Sequence, residues 1–540
     1  MRSSRTASLL AAGAAAVMVP VLLPATASAA PSVTGPLDPY LSQKPAWHRC
    51  SAETPASFQC ATIKVPLDYG KPGGRKLDLA ISRWKTSTKR QHRGALLLNP
   101  GGPGGSGLDM PLFMGGELPK SVKKTYDLVG FDPRGVGESS PVGCGLTDKE
   151  QDWERPYKEA TFAKDVAWAR NVAAKCYARQ GDRLRHLSTR DTARDMDVIR
   201  AVLGEKKISY LGYSYGTYLG AVYTQLFPTR ADRFVLDSAV DPARVWRGMI
   251  QVWAEGAEPA FARWTEWTAE RNSAYRLGAT PQAVRKTFYD LVAQADRKPI
   301  DVDGTRMTGA DIRLTSRATF FSVRDAAEWV VTLKKAAAGK PAGRGLKSPA
   351  PVPPSFAGAT PPSFARATPP EDNGTAAFWS VLCADQRDWP RDPEQYRADA
   401  IRDRKKYPLY GDFGSSVKPC AFWKTGGERT TKVDSKVRAL ILQNEWDPQT
   451  PLTSGQGLRR AMKGAKMVTV AGGVGHGVYG NKSCADKTAT AYLTTGKLPS
   501  KDITCEAAPQ AAAPQAAGRG GLLPLPLPGS RGLPGPGSRF

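Results

Sequence analysis

The fold class predicted by the sequence is α/β: a mostly parallel sheet interrupted by a large, mainly helical insertion. Three observations carry that reading. Short apolar runs of β type recur along the chain and end in loops rich in glycine, proline and charge. The stretch 208–220, ISYLGYSYGTYLG, reads as a strand, a sharp turn and a helix, with Ser214 at the apex. The strand pattern lapses at about 243, gives way to amphipathic helical stretches rich in Trp and charge, and returns at 438–443.

Residues 1–29 open with Arg2 and Arg5, continue through an apolar stretch from Leu9 to Leu23, and close on the small residues Ala27-Ser28-Ala29. That is the pattern of a secretory signal peptide, and its apolar part is too short for a stable membrane span. Residues 30–40 are expected as a pro-segment or flexible arm. Strands are predicted at 61–66 and 76–84 around a Gly/Pro turn, and at 95–98, a short apolar run that enters NPGGPGGSG at 99–107. That loop is too rich in Gly and Pro for helix or strand, so its backbone N–H groups lie bare and can face a ligand. It lacks the pattern of a dinucleotide or phosphate loop. The strand at 126–131 ends in DPRGVGES, where Asp132 and Arg134 are expected to pair and hold the loop. Apolar residues at helical spacing follow at 189–203, and the strand at 234–236 ends at Asp237. The organisation is then a core at 41–242, a cap at 243–430 with a Pro-rich insert at 340–370, a second core part at 431–505 and a disordered tail at 506–540. The insert holds a tandem repeat, PPSFAGAT and PPSFARAT, read as a solvent-exposed loop. Asn373-Gly374-Thr375 matches a glycosylation acceptor. In the second core part, strands at 438–443 and 466–470 end in NEWDPQTP and AGGVGHG.

Composition excludes several function classes. A 41% hydrophobic chain of 540 residues can bury a real core. Net charge is +26, but it is spread along the chain, without a zinc finger, an RNA-binding signature or a long basic run. The reading is a solvated basic surface without nucleic acid, and salt-sensitive contact with anionic cell-wall polymer is an expected partner interaction. Export implies an oxidising compartment, so the eight cysteines are expected as disulfides. Proximity in sequence suggests Cys50–Cys60, Cys144–Cys176, Cys383–Cys420 and Cys484–Cys505. No cysteine or histidine cluster has zinc spacing, and neither metal nor cofactor is expected.

A serine hydroxyl becomes a nucleophile only when a base takes its proton, a third group holds the base, and N–H donors receive the oxyanion. Ser214 in Gly212-Tyr213-Ser214-Tyr215-Gly216 is the candidate nucleophile. Of the four histidines, His48, His92 and His186 lie in other contexts, and only His476 sits in a glycine-rich loop after a late strand. Asp447 is the preferred acid, ahead of Asp241 and Glu445. The order Ser214, Asp447, His476 is that of the α/β-hydrolase fold, with the cap inserted before the strand that carries the acid, and it places all three at one edge of the sheet.

Taken together, NPGGPGGSG, DPRGVGES, GYSYGTYLG, LDSAVDP, the Cys383-Ala384-Asp385 stretch, EWDPQTP and GVGHG with Cys484 and Cys505 resemble the secreted tripeptidyl aminopeptidases of actinobacteria. These belong to the α/β-hydrolase group that includes proline iminopeptidase. The resemblance spans about Trp47 to Cys505. It implies Ser214 as nucleophile, Asp447 as acid, His476 as base, and oxyanion donors at the N–H of Tyr215 and of a glycine in the Gly101-Gly102 pair. Proline iminopeptidases carry His-Gly-Gly-Pro-Gly, whereas Asn99-Pro100 precede Gly101 here, a departure that bears on proline specificity. The duplicated insert is outside the pattern.

The expected activity is a secreted serine exopeptidase that releases short peptides, tripeptides above all, from free N-termini through an acyl-enzyme. The alternative is a secreted carboxylesterase on the same machinery. A non-catalytic wall-binding protein is a third reading, against which the intact triad stands. An ammonium taken into a site needs carboxylate partners. These are expected from the cap: Asp385, Glu258, Glu328 and Glu255.

Overall fold

The computed structural model describes residues 35–86, 88, 92–340, 368–424 and 428–507. The expected signal peptide, most of the Pro-rich insert with its repeat, and the tail beyond 507 lie outside the described residues.

A ten-stranded sheet organises the chain. Its strands are β1 (His48–Arg49), β2 (Phe58–Pro66), β3 (Lys76–Trp84), β4 (Ala95–Asn99), β5 (Asp127–Phe131), β6 (Ile208–Tyr213), β7 (Ala231–Asp237), β10 (Ala439–Trp446), β11 (Lys466–Val474) and β12 (Ile503–Glu506). Between them in sequence, β8 (Ile300–Val302) and β9 (Thr305–Met307) form a separate hairpin inside the cap. The sheet order is β1-β2-β3-β5-β4-β6-β7-β10-β11-β12. The pairings among β1, β2, β3 and β5 are antiparallel, and all others are parallel. Every residue of β4 and β6 is buried, which is why these strands read as unbroken apolar runs instead of alternating ones.

The helix Thr189–Val202 packs beside Tyr215–Leu226 under β6, and its start is fixed by Ser188, whose hydroxyl accepts the Asp191 N–H at 3.1 Å. The cap leaves the sheet after β7. Its long helix Arg247–Ala269 packs on Pro281–Arg297 and Val323–Ala337 around Phe261, Trp264, Phe288 and Phe320. Four disulfides join the pairs that proximity suggested, with Cα separations between 4.3 and 6.1 Å. Among the described residues no helix is long and apolar enough to cross a membrane.

Some expectations need correction. Residues 35–40 are not a loose arm: Asp38–Leu41 is a short helix, and buried Tyr40 packs into the main core. The tail does not begin at 506, because β12 extends through Glu506 along β11 and Ala507 still bonds to Ala471. Asn373 is no glycan acceptor, since its buried amide donates to the carbonyls of Gly135 and Val142 at 2.8 and 2.7 Å. Asp132 and Arg134 do not pair with each other. Arg134 is buried on Asp195, while Asp132 accepts from Ser106 and from the N–H groups of Gly107, Leu108 and Glu138, tying the glycine-rich loop to its neighbour.

Candidate active site

Between Ile208 and Thr224 every residue is buried except Ser214. The chain turns there with a φ of 56° at Ser214, in the left-handed region that a non-glycine residue rarely occupies. The turn is possible because Gly212 and Gly216 leave room. A Cβ on Gly212 would lie 2.5 Å from the Tyr210 ring, and one on Gly216 would lie 2.7 Å from Asn99 Oδ1.

The serine and histidine loops are clamped to one strand end. The Ser214 N–H donates to the Asp237 carbonyl at 2.9 Å. The Asp237 carboxylate accepts the N–H groups of Val478 and Tyr479, at 2.9 and 2.7 Å, and the Ser238 hydroxyl accepts that of Gly477 at 2.7 Å. LDSAVDP thus holds the segment just after His476. Burial pushes the Asp237 carboxyl up to about 7, against the bonds from Tyr479, Ser238 and Val478 and the pull of His476.

His476 Nδ1 lies 2.8 Å from Asp447 Oδ2. Asp447 Oδ1 accepts the N–H groups of Gln449 and Thr450 at 2.8 and 2.9 Å, and the Thr450 hydroxyl donates to Oδ2 at 2.8 Å. An acid so held can orient the imidazole without turning away. Asp241 accepts the Ala243 N–H as a helix cap, and Glu445 accepts that of Gly472, so neither competing acid meets His476 in any hydrogen bond among the described residues. No hydrogen bond joins Ser214 Oγ to His476 among the described residues; in unliganded sites such bonds are often long and tighten with substrate.

The two glycines expected at the oxyanion site differ in their contacts. The N–H of Gly101 donates to Asn99 Oδ1 at 3.1 Å, so it is not available to an oxyanion. Gly101 instead permits contact: at its φ of 101°, a Cβ would lie 2.6 Å from the Tyr213 carbonyl and 2.9 Å from Ser214 Cβ. Among the described residues the N–H groups of Gly102 and of Tyr215, first residue of the helix after the turn, donate to no other group. Asn99 was missed at the sequence level. It is wholly buried, and its Nδ2 has no partner among the described residues. Its only sequence signal was its place in NPGGPGGSG, one residue before the position at which proline iminopeptidases have histidine.

The four cap carboxylates fare differently. Asp385 is buried and takes the N–H and hydroxyl of Thr189 and the Trp246 indole N–H, and burial pushes it up to about 6. Thr189 in turn bonds the Tyr215 hydroxyl at 2.9 Å, so Asp385 braces the turn from below. Glu255 pairs with Arg244 at 2.8 Å. Glu258 accepts the Leu409 N–H at 2.7 Å and faces Arg285. Glu328, half-buried, has no ion pair among the described residues, and burial and Asp325 raise its carboxyl pKa. Its helix, Val323–Ala337, starts just past Phe321, whose ring centroid is 6.4 Å from that of His476. A buried cap network also reaches the acid loop: Arg317 bonds Gln449 Oε1 and Glu154 Oε1, each at 2.9 Å, and Tyr410 shares Glu154.

The profile of a family described as TAP-like protein matches residues 407–505. A tripeptidyl aminopeptidase of Streptomyces lividans is 35% identical over 480 residues, covering 85% of this chain and 86% of that protein. The serine protease Hip1 of Mycobacterium tuberculosis is 30% identical over 495 residues, covering 87% and 92%. A protein of the same organism named carboxylesterase B is 31% identical over 488 residues, covering 86% and 91%.

Proposed function

Because the chain belongs to the tripeptidyl aminopeptidase family of α/β-hydrolase serine peptidases, we propose that it releases tripeptides from the free N-termini of peptides through Ser214, His476 and Asp447. The observation that supports this most is the bonded His476–Asp447 pair, held over the same strand end that anchors the Ser214 turn. In this reading His476 Nε2 takes the Ser214 hydroxyl proton as Oγ attacks the scissile carbonyl. The oxyanion settles between the N–H groups of Gly102 and Tyr215. His476 returns the proton to the departing amine, and water then cleaves the acyl-enzyme by the same route in reverse.

The substrate ammonium is assigned to Glu328, the one of the four expected carboxylates without an ion pair or hydrogen bond among the described residues. Secretion is part of the proposal, supported by the four disulfides. A fluorophosphonate should label the wild type at Ser214 and leave Ser214→Ala unlabelled. Acetylating the N-terminus of a good tripeptidyl substrate should cut kcat/KM by about two orders of magnitude. Equal cleavage of blocked and free peptides would remove the exopeptidase reading. It would favour the carboxylesterase alternative, which the 31% identity to carboxylesterase B supports.

A further inference from the structure

A cavity of about 280 Å³ lies between the end of β3, the start of β5 and the helix Lys120–Thr125. It is at the edge of the sheet away from Ser214: the candidate catalytic loops follow the C-terminal ends of the parallel strands, and this cavity touches β5 at its first residues. Trp84, Tyr126 and Leu128 form its apolar wall, and Lys85, Lys120, Lys123 and Lys124 supply four ammonium groups or their stems.

Three features distinguish it from an ordinary stretch of basic surface. Among the described residues no carboxylate lines it. Asp127, between Tyr126 and Leu128, is not among the lining residues; its carboxylate accepts the N–H of Thr86 on the cavity rim and faces His92. Lys120, Lys123 and Lys124 share one face of the short helix at spacings of three and four, where like charges repel. Among the described residues only Lys123 of these lysines is anchored, donating to the Gly115 carbonyl at 2.6 Å. The wall is also fitted: a Cβ on Gly115 would lie 2.4 Å from the Trp84 ring, so glycine lets the indole lie against the neighbouring helix.

We propose that this cavity binds a phosphodiester polymer, the lysines taking the phosphates and the Trp84 face taking the polyol or sugar between them. Ammonium groups are compact, hydrated point charges suited to phosphate oxygens, and a concave cluster of one sign focuses its field on the ligand. The site would dock a chain of net charge +26 on an anionic wall while the far sheet edge stays open to peptide.

Binding of poly(glycerol phosphate) chains to the full protein should be measured by calorimetry at low and at physiological salt. Two triple variants remove the same charge: Lys85→Gln/Lys120→Gln/Lys124→Gln in the cavity, and Lys298→Gln/Lys335→Gln/Lys405→Gln on exposed cap positions. The cavity variant should bind about ten-fold more weakly and lose part of the salt dependence, while the cap variant changes affinity less than about two-fold and both keep peptidase turnover. Equal weakening by both variants would mean that bulk charge alone attracts the polymer, and absence of saturable binding would also overturn the proposal. Displacement of the polymer by inorganic phosphate at equal phosphate concentration would reassign the cavity to a free phosphate ion.

Discussion

At the scale of single residues, the candidate site joins positions with their own local signal to positions that have none. Ser214 and His476 announce themselves by a five-residue turn and by rarity. Ser214→Ala should fold yet lose several orders of magnitude in kcat, and adding His476→Ala should worsen it little, because the two act as a unit. Full additivity in the double variant would show that they work apart. Asn99 and Asp237 carry no such signal: their roles exist only through contacts with Gly101 and with residues 478 and 479 respectively, the latter brought near by folding. Asp237 makes a pH prediction. Its folded pKa of about 7 lies above the unfolded value of 3.8, so the native state holds a proton that the unfolded state has lost between those limits. Its contribution to stability is therefore complete below about pH 4 and is lost as pH rises toward 7 and beyond. Asp237→Asn cannot ionise, so its Tm deficit relative to wild type should shrink between pH 5 and 8. A deficit that grows over that range would contradict the buried, protonated carboxyl.

At the scale of elements, the parallel strands were legible because each buried run is continuous and ends in a distinctive loop. The two edges were legible only in part: at the antiparallel edge β2 and β3 stand out but the two residues of β1 depend on their partner, and at the opposite, parallel edge so does the short β12. The cap helices were visible by periodicity, but which charge faces which element was not, because an acid on a helix looks alike whether it meets solvent, arginine or substrate. Asp385 shows the consequence. Expected to receive substrate, it instead joins the cap helix Asn373–Asp385 to the Ser214 turn through Thr189 and Trp246. Asp385→Leu should lower kcat about ten-fold or more by loosening the Tyr215 end of the oxyanion site, for peptides and for small esters alike. Glu328→Gln should raise KM for free tripeptidyl substrates and leave small esters unaffected. If Asp385→Leu selectively impaired free-amine substrates instead, its original assignment would return.

At the scale of the whole molecule, no disulfide among the described residues ties the cap to the sheet: three close loops within the core, and Cys383–Cys420 closes one within the cap. Proximity in sequence was enough to pair the eight cysteines because each bond closes a local loop. The separations are 10, 21, 32 and 37 residues for Cys50–Cys60, Cys484–Cys505, Cys144–Cys176 and Cys383–Cys420. If a crosslink acts mainly by restricting the unfolded chain, its effect grows slowly with loop length, from about 3 kcal/mol for the shortest of these to about 4 kcal/mol for the longest. Replacing each pair by serine should then lower Tm least for Cys50–Cys60 and most for Cys383–Cys420. The last pair carries a second effect. Cys383 lies two residues before Asp385, on the helix that reaches both the brace under Ser214 and, through Phe378, the glycine-rich loop at Gly104. Its removal should reduce kcat at temperatures well below the unfolding transition, whereas loss of Cys50–Cys60, at the antiparallel edge, should change Tm alone. Equal kcat in all four variants below their transitions would show that the cap helix keeps its place without the bond.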